Sequence, residues 1–317
     1  MNSDNTVGDH FGTALAYLML GVVAGLALDL CAKWLLADYS LEQFVFLRSA
    51  FGVTFFLLAS RWYGGLGSLK TSRWQWHLLR TVLATGAMFG FFYGLNYMPL
   101  VNALTIAFTA PLIVTALSVP FLGEHVGWRR WIAVIAGFTG VIIVLRPDQG
   151  LLTPASLAVI AAAFCWAGLT VTARKLATTE SSFSLSIYIT AGPLLVSSFF
   201  LSGNYTTPTF SSWILFVAAG LCSALAWVGI VGGYRRAPPV VLAPFEYTAL
   251  IGAAIAGYLI WDEVPDRWVI TGGLIIIASG IYIVYREVGN AIVGRYIRTF
   301  TASSAAAISK RLREVRK

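Results

Sequence analysis

Ten long apolar runs occupy most of the chain, near residues 11–31, 41–60, 78–96, 103–122, 131–145, 156–173, 184–202, 212–234, 242–261 and 268–285. Few folds tolerate such runs. A helix needs about 20 apolar residues to cross some 30 Å of hydrocarbon. Inside lipid a backbone must also satisfy its own polar groups, which leaves helices or a closed barrel. The expectation is an all-α integral membrane protein of about ten transmembrane helices. The fifth run, about 15 residues, is short for a span. Composition agrees: 11% of the residues are charged, against roughly 25% in a soluble domain.

The first ten residues hold Asp4 and Asp9 and no Lys or Arg. A cleaved signal peptide starts with a basic segment, so the first run should remain as a helix. Cys31, Cys165 and Cys222 all lie in apolar runs. An odd number so placed reads as buried small side chains, with no disulfide framework and no metal site.

The net charge of +8 is concentrated in one place: Arg286–Lys317 holds eight Lys/Arg and two Glu. A basic tail over 287–317 suits the anionic cytoplasmic leaflet, not nucleic acid. Counted over alternate connections, 18 Lys/Arg fall on one side and three, Lys33, Arg146 and Arg267, on the other. The excess places both termini in the cytoplasm of a multi-pass inner-membrane protein. Most tryptophans, Trp34, Trp74, Trp128 and Trp268 among them, fall at expected helix ends, where aromatic belts form. Trp166 and Trp227 lie mid-helix and need another explanation.

The chain repeats itself. PLVNALTIAFTAPLIVTALSVPFLGE (99–124) aligns without a gap on PPVVLAPFEYTALIGAAIAGYLIWDE (238–263), so that Pro99 meets Pro238, Thr109 meets Thr248 and Glu124 meets Glu263. This implies a first five-helix repeat over 1–148 and a second over 149–286. Five is odd, so the second repeat must enter the membrane from the opposite side. Charge supports the inversion. The basic loop 61–77 corresponds to NYTTPTFSS (204–212), which has no Lys or Arg, and NYMPLVN (96–102) has none where YRRAPPVV (234–241) has two. Inverted repeats place a substrate site near the bilayer midplane between the halves and permit alternating access.

With Arg48 in FVFLRSAFG, Pro111 followed by Glu124, and APFEYTALIGAAIAGYLIWDE, the chain resembles the drug/metabolite transporter superfamily, in particular its EamA-type members. The similarity covers roughly 11–286. It implies a ten-helix carrier of amino acids, nucleotide sugars, metabolites or drugs, and the overall pattern is similar to exporters of amino acids and aromatic compounds. Where many such proteins have a second proline matching Pro111, this chain has Leu250.

Several residues are candidates for the site. Thr85, Phe89, Phe92 or Tyr93, and Asn96 recur on one face of the third span, and Ser223, Trp227, Ile230 and Tyr234 on the eighth. Met88 matches Trp227 at the repeat offset. A wall of Met88, Phe89, Tyr93, Trp166 and Trp227 with the hydroxyls of Thr109 and Ser223 suits an amphipathic small-molecule substrate. The alternative is aromatic packing or lipid contact, with Thr105 and Thr109 bonded to their own backbone. Arg48 is expected in a structural ion pair with Asp29 or Glu42, because a mid-membrane guanidinium is costly alone. Glu246, near the end of its span, is expected to pair with Arg235 or Arg236, either as a plain charge pair or as a gate.

The reading is a secondary transporter that exports small organic solutes, amino acids first, by alternating access. A passive facilitator or a multidrug or metabolite exporter is the alternative within transport. An integral membrane enzyme is the alternative class. His10, His77 and His125 show no metal-ligand spacing, and there is no P-loop. No cofactor is expected, and the partners are the substrate and the lipid bilayer.

Overall fold

The computed structural model describes residues 3–59, 71, 73–123, 126–146, 152–176, 179–203, 205–236 and 239–286. Arg61, Lys70, Glu124, His125, the boundary between repeats at 148/149 and the basic tail 287–317 lie outside them, as does the side chain of His10. The described residues form helices and no strand. In order they are α1 (Ser3–Leu35), α2 (Leu41–Ala59), α3 (Trp74–Tyr97), α4 (Leu100–Ala107), α5 (Ala110–Leu122) and α6 (Trp128–Leu145), then α7 (Pro154–Leu176), α8 (Ser182–Phe200), α9 (Phe210–Tyr234), α10 (Pro239–Glu246), α11 (Thr248–Trp261) and α12 (Arg267–Arg286).

Among the described residues, nine stretches are long and apolar enough to cross a membrane, among them Leu100–Leu122, which joins α4 and α5. The run at 242–261 is present as α10 and α11, two pieces that meet at Tyr247. The short fifth run becomes a helix of 18 residues, because α6 starts at Trp128, after an extended Gly127.

The repeat is visible in the backbone itself. α4 and α10 have eight residues each, and their starts, 100 and 239, lie 139 apart. The starts of α6 and α12, 128 and 267, have the same offset. α5 is capped by Gly123 and α11 by Asp262, again 139 apart, both left-handed (φ 68° and 55°). Glycine adopts this conformation freely and aspartate tolerates it.

The interruptions of the two broken spans also correspond. Phe108 follows α4, and Tyr247, 139 residues later, follows α10. Their rings lie 5.1 Å apart, so the axis relating the halves passes between them. In the first half Pro111 sits at the start of α5, where a missing N–H costs little. In the second half Leu250 stands instead, and its N–H bonds to Tyr247 O at 3.0 Å. The second span therefore breaks at the equivalent point with no proline matching Pro111, although Pro244 lies in α10 shortly before the break.

Packing interleaves the halves. α1 lies along α9 and α3 along α7. At Gly90 and Gly94 of α3 an added Cβ would lie 2.6 Å from Ala158 O and 3.1 Å from Ala155 O, both on α7. At Gly229 and Gly233 of α9 it would lie 2.6 Å from Tyr17 O and 3.1 Å from Ala14 O, both on α1. The same small-residue spacing, 139 residues on, lets the backbones of the equivalent helix pair approach. α2 packs on α8 and α9, and α8 on α2 and α3. One buried cluster, including Phe44, Phe92, Leu100, Phe216, Tyr247 and Ile276, joins both halves. Outward, Leu58, Val82, Phe199, Leu259 and Leu274 are exposed, as a lipid-facing surface requires.

Successive spans alternate in direction. The ends of α1, α3, α6, α8 and α11 and the starts of α2, α4, α7, α9 and α12 form one end of the bundle, marked by Glu263. The opposite end is marked by Glu180.

Candidate functional site

Arg48 enters on α2, seven residues from its start, which is about 10 Å along the helix. It is buried, at 7% exposure. Its guanidinium donates to Met88 Sδ and to Ser223 Oγ, each at 2.7 Å, and lies 5.6 Å from the Phe92 ring. Met88 and Phe92 belong to the first half, Ser223 to the second. Ser223 can reach it because Gly220, one turn earlier, brings α9 against the backbone of α2 at Arg48 and Gly52.

The expected ion pair is not formed among the described residues. Neither Asp29 nor Glu42 comes within 4.0 Å of Arg48, although Asp29 is near enough for the two charges to interact. Glu42 lies six residues before Arg48, about 240° around the helix, and faces another way. It sits in the first turn of α2, where a carboxylate favours the helix dipole.

Trp227 stacks on Trp166 with ring centroids 5.9 Å apart and planes 27° from parallel. It also bridges two clusters: Phe56, Phe183 and Ile187 on one side, and Ala84, Ala87, Leu169 and Ile189 on the other. Helices α2, α3, α7 and α8 thus surround it, yet it is only half-buried. Met88 and Phe89 pack against the central cluster. Tyr93 departs from the expected wall: it is exposed and pairs with Tyr97 at 4.9 Å. Thr109 is buried and donates to Ile106 O at 2.7 Å, and Thr105 donates to Val101 O at 2.7 Å. Both hydroxyls are spent on their own helices.

Glu246 accepts from Tyr234 Oη at 2.6 Å. Arg236 does not pair with it. Its guanidinium lies 4.1 Å from the Tyr17 ring and donates to Gly232 O at 2.8 Å. The reason is packing: α1 runs along α9, so Tyr17 offers a ring face at the point where α9 ends. Arg235 caps the C-terminus of α9.

The polar contacts between the halves at each end are invisible to sequence spacing. At the Glu263 end, Lys33 of α1 pairs with Glu263, which also accepts from Leu100 N at 3.0 Å. Arg146 pairs with Asp266, which accepts from Trp268 N and Val269 N at 2.9 Å and so caps α12. Gln43 exchanges two hydrogen bonds with Thr206. At the Glu180 end, Arg80 is buried at 3% and donates to Leu169 O (2.7 Å) and Thr172 Oγ1 (3.1 Å) of α7. Arg80 falls inside the apolar run 78–96, which marks it in the sequence as a helix residue. His77 Nε2 lies 3.3 Å from Glu180 Oε2, and Thr71 donates to Glu180 at 2.6 Å.

Burial alone would push the Glu180 carboxyl up, but hydrogen bonds from Thr71 and Ser184 and the adjacent His77 outweigh it and hold the group below the usual carboxylate range. A depressed folded value gives stability that is present above the unfolded value, about 4.3, and lost as pH falls through the folded one. Melting temperature should therefore drop below about pH 4, and Glu180→Gln should flatten that limb. Parallel curves for wild type and variant would show that Glu180 contributes nothing there.

Comparison with known proteins assigns the fold. Residues 12–146 and 153–286 each match the EamA-like transporter family. An S-adenosylmethionine uptake transporter of Rickettsia bellii (strain RML369-C) is 31% identical over 87% of this chain and 95% of its own. A riboflavin transporter of Vibrio cholerae is 32% identical over 69% of this chain and 74% of its own. The pseudopaline exporter CntI of Pseudomonas aeruginosa is 26% identical over 75% and 84%. One solved structure superposes with a TM-score of 0.63 at 16% identity, over 89% of this chain and 99% of that one, which speaks for the fold alone. With both halves matched and the inverted repeat present in the backbone, this chain belongs to the EamA-like transporter family and is a small-molecule transporter of the drug/metabolite type.

Proposed function

We propose that the chain is a secondary transporter that takes up a small organic solute carrying a flat ring, with S-adenosylmethionine the first candidate, through a midplane site between the repeats. The observation that carries this reading is the Trp166–Trp227 stack, half-exposed amid four helices beside the Arg48–Ser223 contact between halves. Aromatic faces hold flat rings, and a few placed polar groups fix their orientation. The reading is supported by relatives of nearly equal length named for S-adenosylmethionine uptake, and by others named for riboflavin, whose ring is also flat. It replaces export with uptake as the direction to test, and the amino acid with an amino-acid derivative. The excess of Lys/Arg on one side supports an inner-membrane orientation with both termini on the cytoplasmic side.

Counterflow in proteoliposomes tests the proposal, with labelled S-adenosylmethionine, riboflavin and aromatic amino acids, with and without a pH gradient. Accumulation of S-adenosylmethionine is expected. Transport of none of the panel would end the reading. Trp227→Ala should weaken the apparent affinity by about fivefold or more, since an aromatic stack is worth ~1 kcal/mol beyond the area it buries. Unchanged affinity for every transported solute would return Trp227 to packing. Cysteines placed at Lys70 and Asn204 should react from opposite sides of the membrane, and reaction from one side would overturn the topology.

A further inference from the structure

We infer that Arg48 is the anchor for a substrate carboxylate, with Asp29 receiving the cationic group, so that the midplane site takes an α-amino carboxylate. The inference rests on the midplane site proposed above and names its substrate class. A guanidinium offers five N–H donors, suited to the two oxygens of a carboxylate. Arg48 is 93% buried, yet among the described residues it meets no counter-charge within ion-pair distance. One of its donors points at a thioether, a weak acceptor, another at the Ser223 hydroxyl, and its Nε–H meets no partner among the described residues. A buried cation left in this state is costly unless something else completes it. A structural arginine at this depth would be expected to hold an acid directly.

Asp29 makes the geometry specific. It lies six residues before the end of α1, and Arg48 lies seven after the start of α2, with a connection of five residues between the helices. Both charges therefore lie at about the same depth, near 10 Å from the Glu263 end. They interact without touching. An α-amino acid carries its carboxylate and its ammonium on one carbon, so its head group can bridge two opposite charges that do not themselves pair. Met88, bonded to Arg48, leads from this pair to the α3 helix face, and Ser223 leads one turn along α9 to Trp227. A solute held by its head at Arg48 and Asp29 can direct its body to the Trp166–Trp227 stack. Riboflavin, which has no carboxylate, fits this arrangement less well than S-adenosylmethionine or an aromatic amino acid.

The test is binding to purified full-length protein in nanodiscs, read by tryptophan fluorescence. The probes are S-adenosylmethionine and its decarboxylated form, and L-tryptophan and tryptamine. For at least one pair the wild type should prefer the carboxylate by about tenfold or more, the worth of a charge-assisted hydrogen-bonded contact. Arg48→Gln should bind both members of that pair equally, at the affinity of the decarboxylated one. Asp29→Asn should weaken binding of the amino acid and keep the preference for the carboxylate. A folded Arg48→Gln protein that retains the preference overturns the inference. If that variant does not fold, the wild type decides alone, and equal affinity for both members of each pair overturns it. Transport of riboflavin but of no carboxylate-bearing solute would also overturn it while leaving the transporter reading intact. Transport of nothing in the panel would instead defeat the midplane reading itself.

Discussion

Gly229→Ala should destabilise the protein by about 3 kcal/mol, the upper range for a side chain forced into a filled space. The added carbon would lie 2.5 Å from Gly21 Cα and 2.6 Å from Tyr17 O, and closer still to Gly21 N. All three are backbone atoms of α1, so no side-chain rotation can relieve the clash. α1 itself would have to move away from α9, and among the described residues of α1 to α11 this pair is the most extensive helix contact. The reverse substitution site agrees: a Cβ on Gly21 would lie 2.7 Å from Ile230 N. Gly25→Ala is the matched control. It is one turn further along α1, with nothing within 4 Å of the added atom. It should be neutral or stabilising by up to about 1 kcal/mol, because alanine favours the helix. Detergent melting with monodispersity by size exclusion measures both. Equal melting of the two alanine variants would show that α1 and α9 can separate freely at this crossing.

The plan of the molecule was legible in the sequence, and its polar contacts were not. Apolar run length and the 139-residue offset depend only on local order, and the backbone repeats them at Phe108 and Tyr247, and at Gly123 and Asp262. The departure at Leu250 did not remove the second break: the chain tightens into a turn at Tyr247, and Pro244, which has no N–H, lies within α10 just before it. For Glu246, neighbouring charge in the sequence points to Arg235 or Arg236 as its partner. The structure gives it Tyr234, 12 residues earlier, because α10 folds back beside the end of α9, while α1 claims Arg236 with a ring face. For Arg48, the sequence likewise points to an acid, Asp29 or Glu42. Which helices meet around it is a matter of tertiary packing, and that packing delivers Met88 and Ser223 instead. Lys33 and Glu263 are 230 residues apart, and no spacing rule could join them.

Removing Glu263 should have the second large effect, and it should act on one end of the transporter. The carboxylate does two separate things. One oxygen pairs with Lys33, whose ammonium also donates to Met98 O at 3.4 Å and lies 5.0 Å from the Trp261 ring. The other accepts from Leu100 N, the first N–H of α4. α4 has no cap of its own, because the residue before it is Pro99, which has no side-chain oxygen. A residue of the second half thus caps a helix of the first, and the charge also favours the helix N-terminus. The Lys33 and Glu263 side chains are 12% and 19% exposed, so little water can replace a missing partner. Glu263→Ala should cost about 2–3 kcal/mol, somewhat below the full loss seen when a deeply buried pair is broken. Glu263→Gln keeps the acceptor and should cost less. Exchanging the charges, Lys33→Glu with Glu263→Lys, should recover only part of the loss, since a lysine cannot accept from Leu100 N. Full recovery would mean that the ion pair alone matters and the cap does not. The functional consequence follows from which elements are joined. Alternating access, the mode the inverted repeat leads us to propose, would require this end to part when it opens, and α1, α4 and α11 are tied together here. Each 1 kcal/mol removed from the closed state raises the open fraction about fivefold. A cysteine at Met98 should therefore react faster with a membrane-impermeant thiol reagent in Glu263→Ala than in the wild-type background. If its rate and the melting temperature both stay unchanged, Glu263 is a surface decoration and the bolt at this end lies with Arg146 and Asp266.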